Sequence, residues 1–189
     1  MAQATLNPVL LRLRGKVGDL IFKNVNGKTV VACKAAMPAY PETEPQRATR
    51  HNFRNGILYG KMVMADPVAH SVYAEAAKRR GEPIYSVMIG DFMNAPVVDQ
   101  IDLSRYNGQV GSEIAVRASD DFGVTEVEVR ILASSGEEIE KGFAIESVPN
   151  SGLWVYAATV GVPTGSPVHV EATAKDRPGH TGVRVESKG

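Results

Sequence analysis

Three aspartates are the residues of this chain whose type and placement could do chemistry: Asp120, Asp121 and Asp176. Asp120 and Asp121 close one β-rich run and Asp176 closes another, and the ends of such strands can converge at one pole of a folded sheet pair. Oxygen-rich loops of that kind hold Ca²⁺, which takes about 6–8 oxygen ligands at roughly 2.3–2.6 Å. The simpler reading is that each Asp caps its own turn by side chain to backbone hydrogen bonds. No dense D-x-D-x-D ladder stands behind the metal reading.

Other candidate chemistry is thinner. Gly15-Lys-Val-Gly18 is phosphate-loop-like only in its glycines, because a P-loop needs four residues between them and then Gly-Lys-Ser/Thr opening a helix. His51, His70, His169 and His180 fall in different elements with no H-E-x-x-H spacing, so zinc is not expected. No G-x-S-x-G elbow occurs, and the single cysteine, Cys33, reads as a small apolar strand residue. Glu137, Glu138 and Glu140 read as a solvated strand edge whose charge discourages edge-to-edge pairing. The expectation is a chain without catalytic residues and without a cofactor.

The elements that would position these residues change character along the chain. Leu20-Ile-Phe-Lys-Asn-Val25, then Asn26-Gly27, then Lys28-Thr-Val-Val-Ala-Cys33 is a hairpin signal, since both turn residues need positive φ. Val9 to Arg14 partly alternates and extends it to a meander, with Gly15 and Gly18 in the connection. Pro38, Pro41 and Pro45 mark a linker. A first helix opens at Thr43 or Glu44 and ends near Ala65, carrying apolar Phe53, Ile57, Met62 and Met64. Asp66-Pro67 caps a second helix ending at Arg80-Gly81, and Pro83 starts a third from Ile84 to Met93.

Past Pro96 the pattern is seven short strands separated by turn clusters. Ile114, Val116 and Ala118 alternate with polar neighbours, as do Val127, Val129 and Ile131, so one face is core and the other is water. Trp154 and Tyr156 share a core face. The fold class expected is an α+β N-terminal module, a β-hairpin or meander plus two to three helices, followed by an all-β immunoglobulin-like sandwich. The boundaries expected are 1–36 for the hairpin, 37–96 for the linker and helices, and 97–189 for the sandwich.

Val116-Arg-Ala-Ser-Asp-Asp-Phe-Gly-Val124, with Val127 and Val129, resembles the A-x-D-x-x-G-V-x-x-V-x-V segment of bacterial Ig-like domains. Leu153-Trp-Val-Tyr156 resembles their W-x-Y strand, and Val170-Glu-Ala-Thr-Ala-Lys-Asp-Arg-Pro-Gly179 their closing A-x-D-x-x-G strand. The resemblance covers about half the chain and implies a fold rather than a ligand. The front half resembles a bacterial class pairing a G-x-x-G β-hairpin with helices, through Gly15, Gly18, Pro45-Gln46, Arg50 and Phe53. That resemblance implies architecture and no activity.

The charge is unevenly spread, which reads either as chance unevenness across two solvated surfaces or as a basic front half and an acidic rear half that attract each other between neighbouring molecules. Residues 1–96 carry 13 Lys and Arg against 7 Asp and Glu, and residues 97–189 carry 8 against 14. The basic excess is modest and lacks a nucleic-acid signature, so no nucleic-acid partner is expected. No apolar run approaches the roughly 20 residues of a membrane span, and Met1 to Arg14 does not read as a secretory signal. The sequence therefore predicts a non-catalytic structural subunit of a filament, tube or particle, with an extracellular or cell-surface location favoured. Its partner is expected to be itself, head to tail, or other surface or particle proteins. Contact would come by strand pairing through Val9, Leu11, Leu13, Leu20, Phe22, Val30 and Val31. The alternative is an Ig-like adhesion module for a glycan or protein, whose signature would be aromatic residues exposed on loops.

Overall fold

The computed structural model describes residues 14–25, 28–34, 41–163 and 165–189. The chain divides into two compact units, 1–43 and 44–189.

The first unit is an antiparallel sheet of β1 (Gly15–Val17), β2 (Leu20–Val25) and β3 (Lys28–Cys33), in that order. Gly15-Lys-Val17 is thus a strand rather than part of a connection, and the turn into β2 falls at Gly18-Asp19 with Gly18 at φ 59°. β2 and β3 pair from Leu20 opposite Cys33 to Val25 opposite Lys28. None of the described residues in this sheet is buried.

The second unit begins with α1 (Glu44–Ala65), α2 (Pro67–Arg80) and α3 (Ile84–Met93). Asp66 caps α2 by accepting from the N–H groups of Val68 and Ala69 at 2.9 and 3.4 Å, with Pro67 in the first turn. Gly81 ends it in the left-handed conformation. On α1 the inward face is Gly56, Gly60 and Val63, while Phe53, Met62 and Met64 stay exposed. The two glycines set how closely α3 approaches: a Cβ on Gly56 would stand 3.3 Å from the Phe92 ring, and one on Gly60 3.1 Å from Tyr85. No described helix is long and apolar enough to cross a membrane.

Eight strands follow: β4 (Val97–Asp102), β5 (Glu113–Ser119), β6 (Glu126–Ala133), β7 (Glu138–Phe143), β8 (Ile145–Glu146), β9 (Leu153–Ala157), β10 (Val168–Lys175) and β11 (Thr181–Lys188). They form two four-stranded antiparallel sheets, ordered β11-β10-β6-β7 and β4-β5-β9-β8. The alternation read from sequence sets the faces: Ile114, Val116, Val127, Val129 and Ile131 are fully buried, and Trp154 and Tyr156 join the same core. The fold is therefore an α+β arrangement ending in a β-sandwich.

Both sides of the sandwich are stitched. On one side β7 runs into β8 through buried Ala144, whose N–H still bonds Val127 O at 2.9 Å, so the chain changes sheets without losing its hydrogen bond. The two residues of β8 were too short a run to read as a strand. On the other side β4 bulges between Val98 and Gln100, and the Asp99 carbonyl accepts from Arg184 of β11. Lys188 Nζ reaches the carbonyls of Leu103, at 2.7 Å, and Tyr106.

Glu140 departs from the solvated edge expected of it. It is buried on β7, and its Oε2 accepts from Tyr156 Oη, Thr159 N, Thr159 Oγ1 and Val160 N at 3.2, 2.9, 2.6 and 3.1 Å. The donors lie at the end of β9 and in the segment after it, too far along the chain to be visible as a local pattern. They satisfy one oxygen of a charge that burial would otherwise penalise.

Close approach at the β11–β4 side gives a direct test. A Cβ on Gly182 would collide with the Pro96 carbonyl, which is backbone and cannot swing away. Gly182→Ala should lower stability by about 1–3 kcal/mol, the usual penalty for overpacking, measured by urea unfolding. An unchanged midpoint would show that the two edges are not held this tightly.

Candidate functional site

The acidic residues singled out from the sequence do converge, and a fourth joins them. α3 carries Asp91, which is fully buried. The turn after β5 brings Asp120 and Asp121, and the turn after β10 brings Asp176. One carboxylate oxygen each from Asp91, Asp120 and Asp121 lies within 4.8 Å of the others. Asp176 is close enough to act electrostatically on Asp91.

The four carboxylates differ in what they already hold. Asp176 Oδ1 accepts from Gly179 N at 2.7 Å and His180 N at 2.6 Å, and its Oδ2 faces His180 Nδ1 at 3.2 Å. Asp120 Oδ2 accepts from Phe122 N and Gly123 N at 3.0 and 2.7 Å. These are the turn caps foreseen as the simpler reading. Asp120 Oδ1, however, is buried with no hydrogen-bond partner, and so is Asp91 Oδ1. Asp121 Oδ2 accepts from Asn94 Nδ2 at 3.1 Å, and the Asp121 carbonyl accepts from Arg80 at 2.5 Å.

Asp91 sits at the end of a buried relay. Tyr73 of α2 donates to Asp91 Oδ2, and Tyr59 of α1 lies 2.8 Å from Tyr73 Oη. A tyrosine has one proton to give, so Tyr59 donates to Tyr73 and Tyr73 to Asp91. Burial, and then its hydrogen bond to Asp91, push the Tyr73 hydroxyl far above its ordinary value. Burial lifts the Asp91 carboxyl from 3.8 to about 7; the Tyr73 hydrogen bond opposes this, and the charges of Asp120, Asp176 and Asp121 add to it.

Aromatic rings frame the cluster. Phe122, between Asp121 and Gly123, packs on Tyr73 with ring centroids 4.5 Å apart and joins the helical core. Phe92, next to Asp91, meets the His180 ring edge-on at 4.8 Å. The helices and the sandwich thus share this patch of core. Asp91 was missed in the sequence because it stands in an apolar helix, Ile-Tyr-Ser-Val-Met-Ile-Gly-Asp-Phe-Met, where a lone acid reads as helix surface.

Of the residues expected to mediate assembly, Val9, Leu11 and Leu13 lie outside the described residues. The β2–β3 register puts Leu20, Phe22 and Val31 on one face, with Cys33 and Val17 beside them, and Val30 on the other. Leu20 is 41% exposed and Val17 59%.

The sequence matches no protein-family model, and no curated protein matches it. Solved structures similar to it include CopC from Methylosinus trichosporium OB3b, at 17% identity and TM-score 0.37 over 49% of this chain and 89% of that one. A tetra-tandem repeat from the extending region of a large adhesion protein is 19% identical with TM-score 0.31, over 50% of this chain and 23% of that one. A conjugative transposon lipoprotein from Bacteroides eggerthii DSM 20697 is 11% identical with TM-score 0.27, over 50% of this chain and 94% of that one. At these scores the β-sandwich assignment rests on the sheet topology itself.

The sign of the Asp91 titration can be read in stability. Between about pH 4 and pH 7 the folded chain keeps a proton that the unfolded chain has released, so stability falls as pH rises through that window and levels off above it. In buffer free of divalent ions, Asp91→Asn should flatten that slope, a difference on the order of a few kcal/mol between the ends of the window. Tyr73→Phe should cost about 1–3 kcal/mol by leaving Asp91 without its donor. Urea unfolding across pH checks both, and a wild-type slope of opposite sign would contradict the burial of Asp91.

Proposed function

We infer that this chain is a non-catalytic structural subunit that self-assembles head to tail, its N-terminal sheet pairing with a neighbouring copy. The observation that carries this reading is the sheet β1–β2–β3, in which no described residue is buried and an apolar stripe of Val17, Leu20, Phe22 and Val31 lies on one face. Small sheets need a covered face to be stable. Among the described residues β3 is six residues long and has β2 on one side, and an edge strand of this kind is a template for a further strand.

Charge supports a second copy as the occupant. Residues 1–43 carry six Lys and Arg against Asp19 and Glu42, a net of +4. Residues 44–189 carry 15 against 19, a net of −4. Opposite charges on the two units favour head-to-tail encounter over like-to-like contact, and a contact of that heterologous kind propagates unless it closes a ring.

The sandwich serves in this reading as the Ig-like body of the subunit. Support comes from strand order: β4-β5-β9-β8 corresponds to A-B-E-D, and β11-β10-β6-β7 to G-F-C with one added strand.

Negative-stain images and sedimentation of the full chain should show polymers, and a variant lacking residues 1–34 should sediment as a monomer. Phe22→Lys, on the apolar face, should block assembly more strongly than Val30→Lys on the opposite face. A full chain that stays monomeric at high concentration, or a truncated chain that polymerises equally well, refutes the reading.

A further inference from the structure

We propose that Asp91, Asp120 and Asp121 hold a divalent cation of the hard, oxygen-preferring class, Ca²⁺ above all, which ties α3 to the turn between β5 and β6. A cluster of acids alone would not carry this, because exposed carboxylates commonly gather without an ion. Here the deepest member is fully buried, and its Oδ1 has no hydrogen-bond partner. The Oδ1 of Asp120 is buried and unpartnered as well, its Oδ2 being taken by the turn. Native interiors rarely leave such oxygens without a partner, and two in one cluster fit a single electropositive neighbour serving both.

Geometry allows one ion to satisfy all three residues. Two oxygens on opposite sides of an ion bound at about 2.4 Å stand about 4.8 Å apart. One carboxylate oxygen from each of Asp91, Asp120 and Asp121 falls within 4.8 Å of the others. Among the described residues, no lysine, arginine or histidine is ion-paired with Asp91, Asp120 or Asp121. Arg80 donates to the Asp121 backbone carbonyl, and Arg80 and Arg177 both lie over the Phe122 ring, at 5.8 and 6.0 Å from its centroid. The donor set is all oxygen, without sulfur or imidazole, which selects Ca²⁺, Mg²⁺ or Mn²⁺ over zinc and copper.

Burial grades from Asp91, fully enclosed, through half-buried Asp120 to exposed Asp121, so an ion can enter from the Asp121 side and water can complete its shell. Asp176 is not a ligand, because hydrogen bonds from Gly179 and His180 already occupy both its oxygens. It adds negative potential instead. Tyr73, bonded to Asp91 Oδ2, fixes the carboxylate so that Oδ1 is the oxygen left for the ion.

The rival occupant is a proton shared between Asp91 and Asp120, and the experiment separates the two. Full-length protein is stripped with chelator, then melted with and without millimolar CaCl₂, MgCl₂ or MnCl₂. Binding to the folded state alone should raise the midpoint by about 5 °C or more with the preferred ion. Terbium, a luminescent stand-in for Ca²⁺, should show tyrosine-sensitised emission through Tyr73 that Ca²⁺ displaces. Both responses should be lost in Asp91→Asn and Asp120→Asn, weakened in Asp121→Asn, and kept in Glu137→Gln. Asp121 is exposed, so its variant folds even if a buried substitution does not. No midpoint shift with any of the three ions, together with emission no stronger than free terbium, would assign the cluster to a shared proton. Responses that persist in the three Asp variants would place the ion elsewhere.

Discussion

A carboxylate placed out of reach of water constrains everything around it, and in this chain that carboxylate is Asp91. A buried acid must be neutralised or surrounded by donors. Tyr73 supplies one donor and needs Tyr59 behind it, so three helices are locked in register around a single side chain. The glycines of α1 follow from this, because Gly56 and Gly60 let α3 come close enough for Asp91 and Tyr59 to share a neighbourhood. Phe122 then closes the space above Tyr73, which draws the turn after β5, and with it Asp120 and Asp121, onto the helices. The acidic cluster is thus a by-product of how the helices and sandwich share a core.

The sandwich itself solves a different problem. An open pair of sheets has four edges, each a template for unwanted pairing. Here one pair of edges is joined by the chain, where Ala144 keeps its bond to Val127 while passing from β7 to β8. The other pair is joined by long cations of β11 reaching carbonyls on and after β4. Backbone carbonyls are used as acceptors, so the stitching does not depend on salt-sensitive ion pairs. A body closed in this way contrasts with the sheet of residues 15–33, whose apolar stripe is left on one face.

Legibility in the sequence followed the range of the interactions. The helix boundaries were readable because caps are local: Asp66 with Pro67, Gly81, and Pro83 before Ile84 act within a few residues. Strand faces were readable because alternation is local too, as in β5 and β6. Resemblance to bacterial Ig-like motifs implied a sandwich fold but no site. Gly15-Lys-Val17 misled, since glycine signals a turn while pairing with β2 makes it a strand. Phe53, Met62 and Met64 misled in the opposite sense, because the helix turned its small residues inward and left the large ones out. Glu140 and Asp91 each read as surface acids in their local pattern, and the donors that serve them lie 16 or more residues away.

The contrast between Asp176 and Asp91 shows what a static pattern of acids leaves undecided. Both are buried, and both were placed by elements that end at the same patch. Asp176 sits in a loop, where backbone N–H groups are free to turn toward it, and it collects two of them. Asp91 sits inside a helix, where neighbouring N–H groups are committed to helical carbonyls, so only side chains can serve it. Tyr73 fills one oxygen and geometry leaves none for the other. A loop acid can cap itself; a helix acid must find its counterpart from outside the backbone, as a proton or a cation. Position on secondary structure, more than proximity in space, therefore separates the aspartate that holds a turn from the one that is left with a free oxygen.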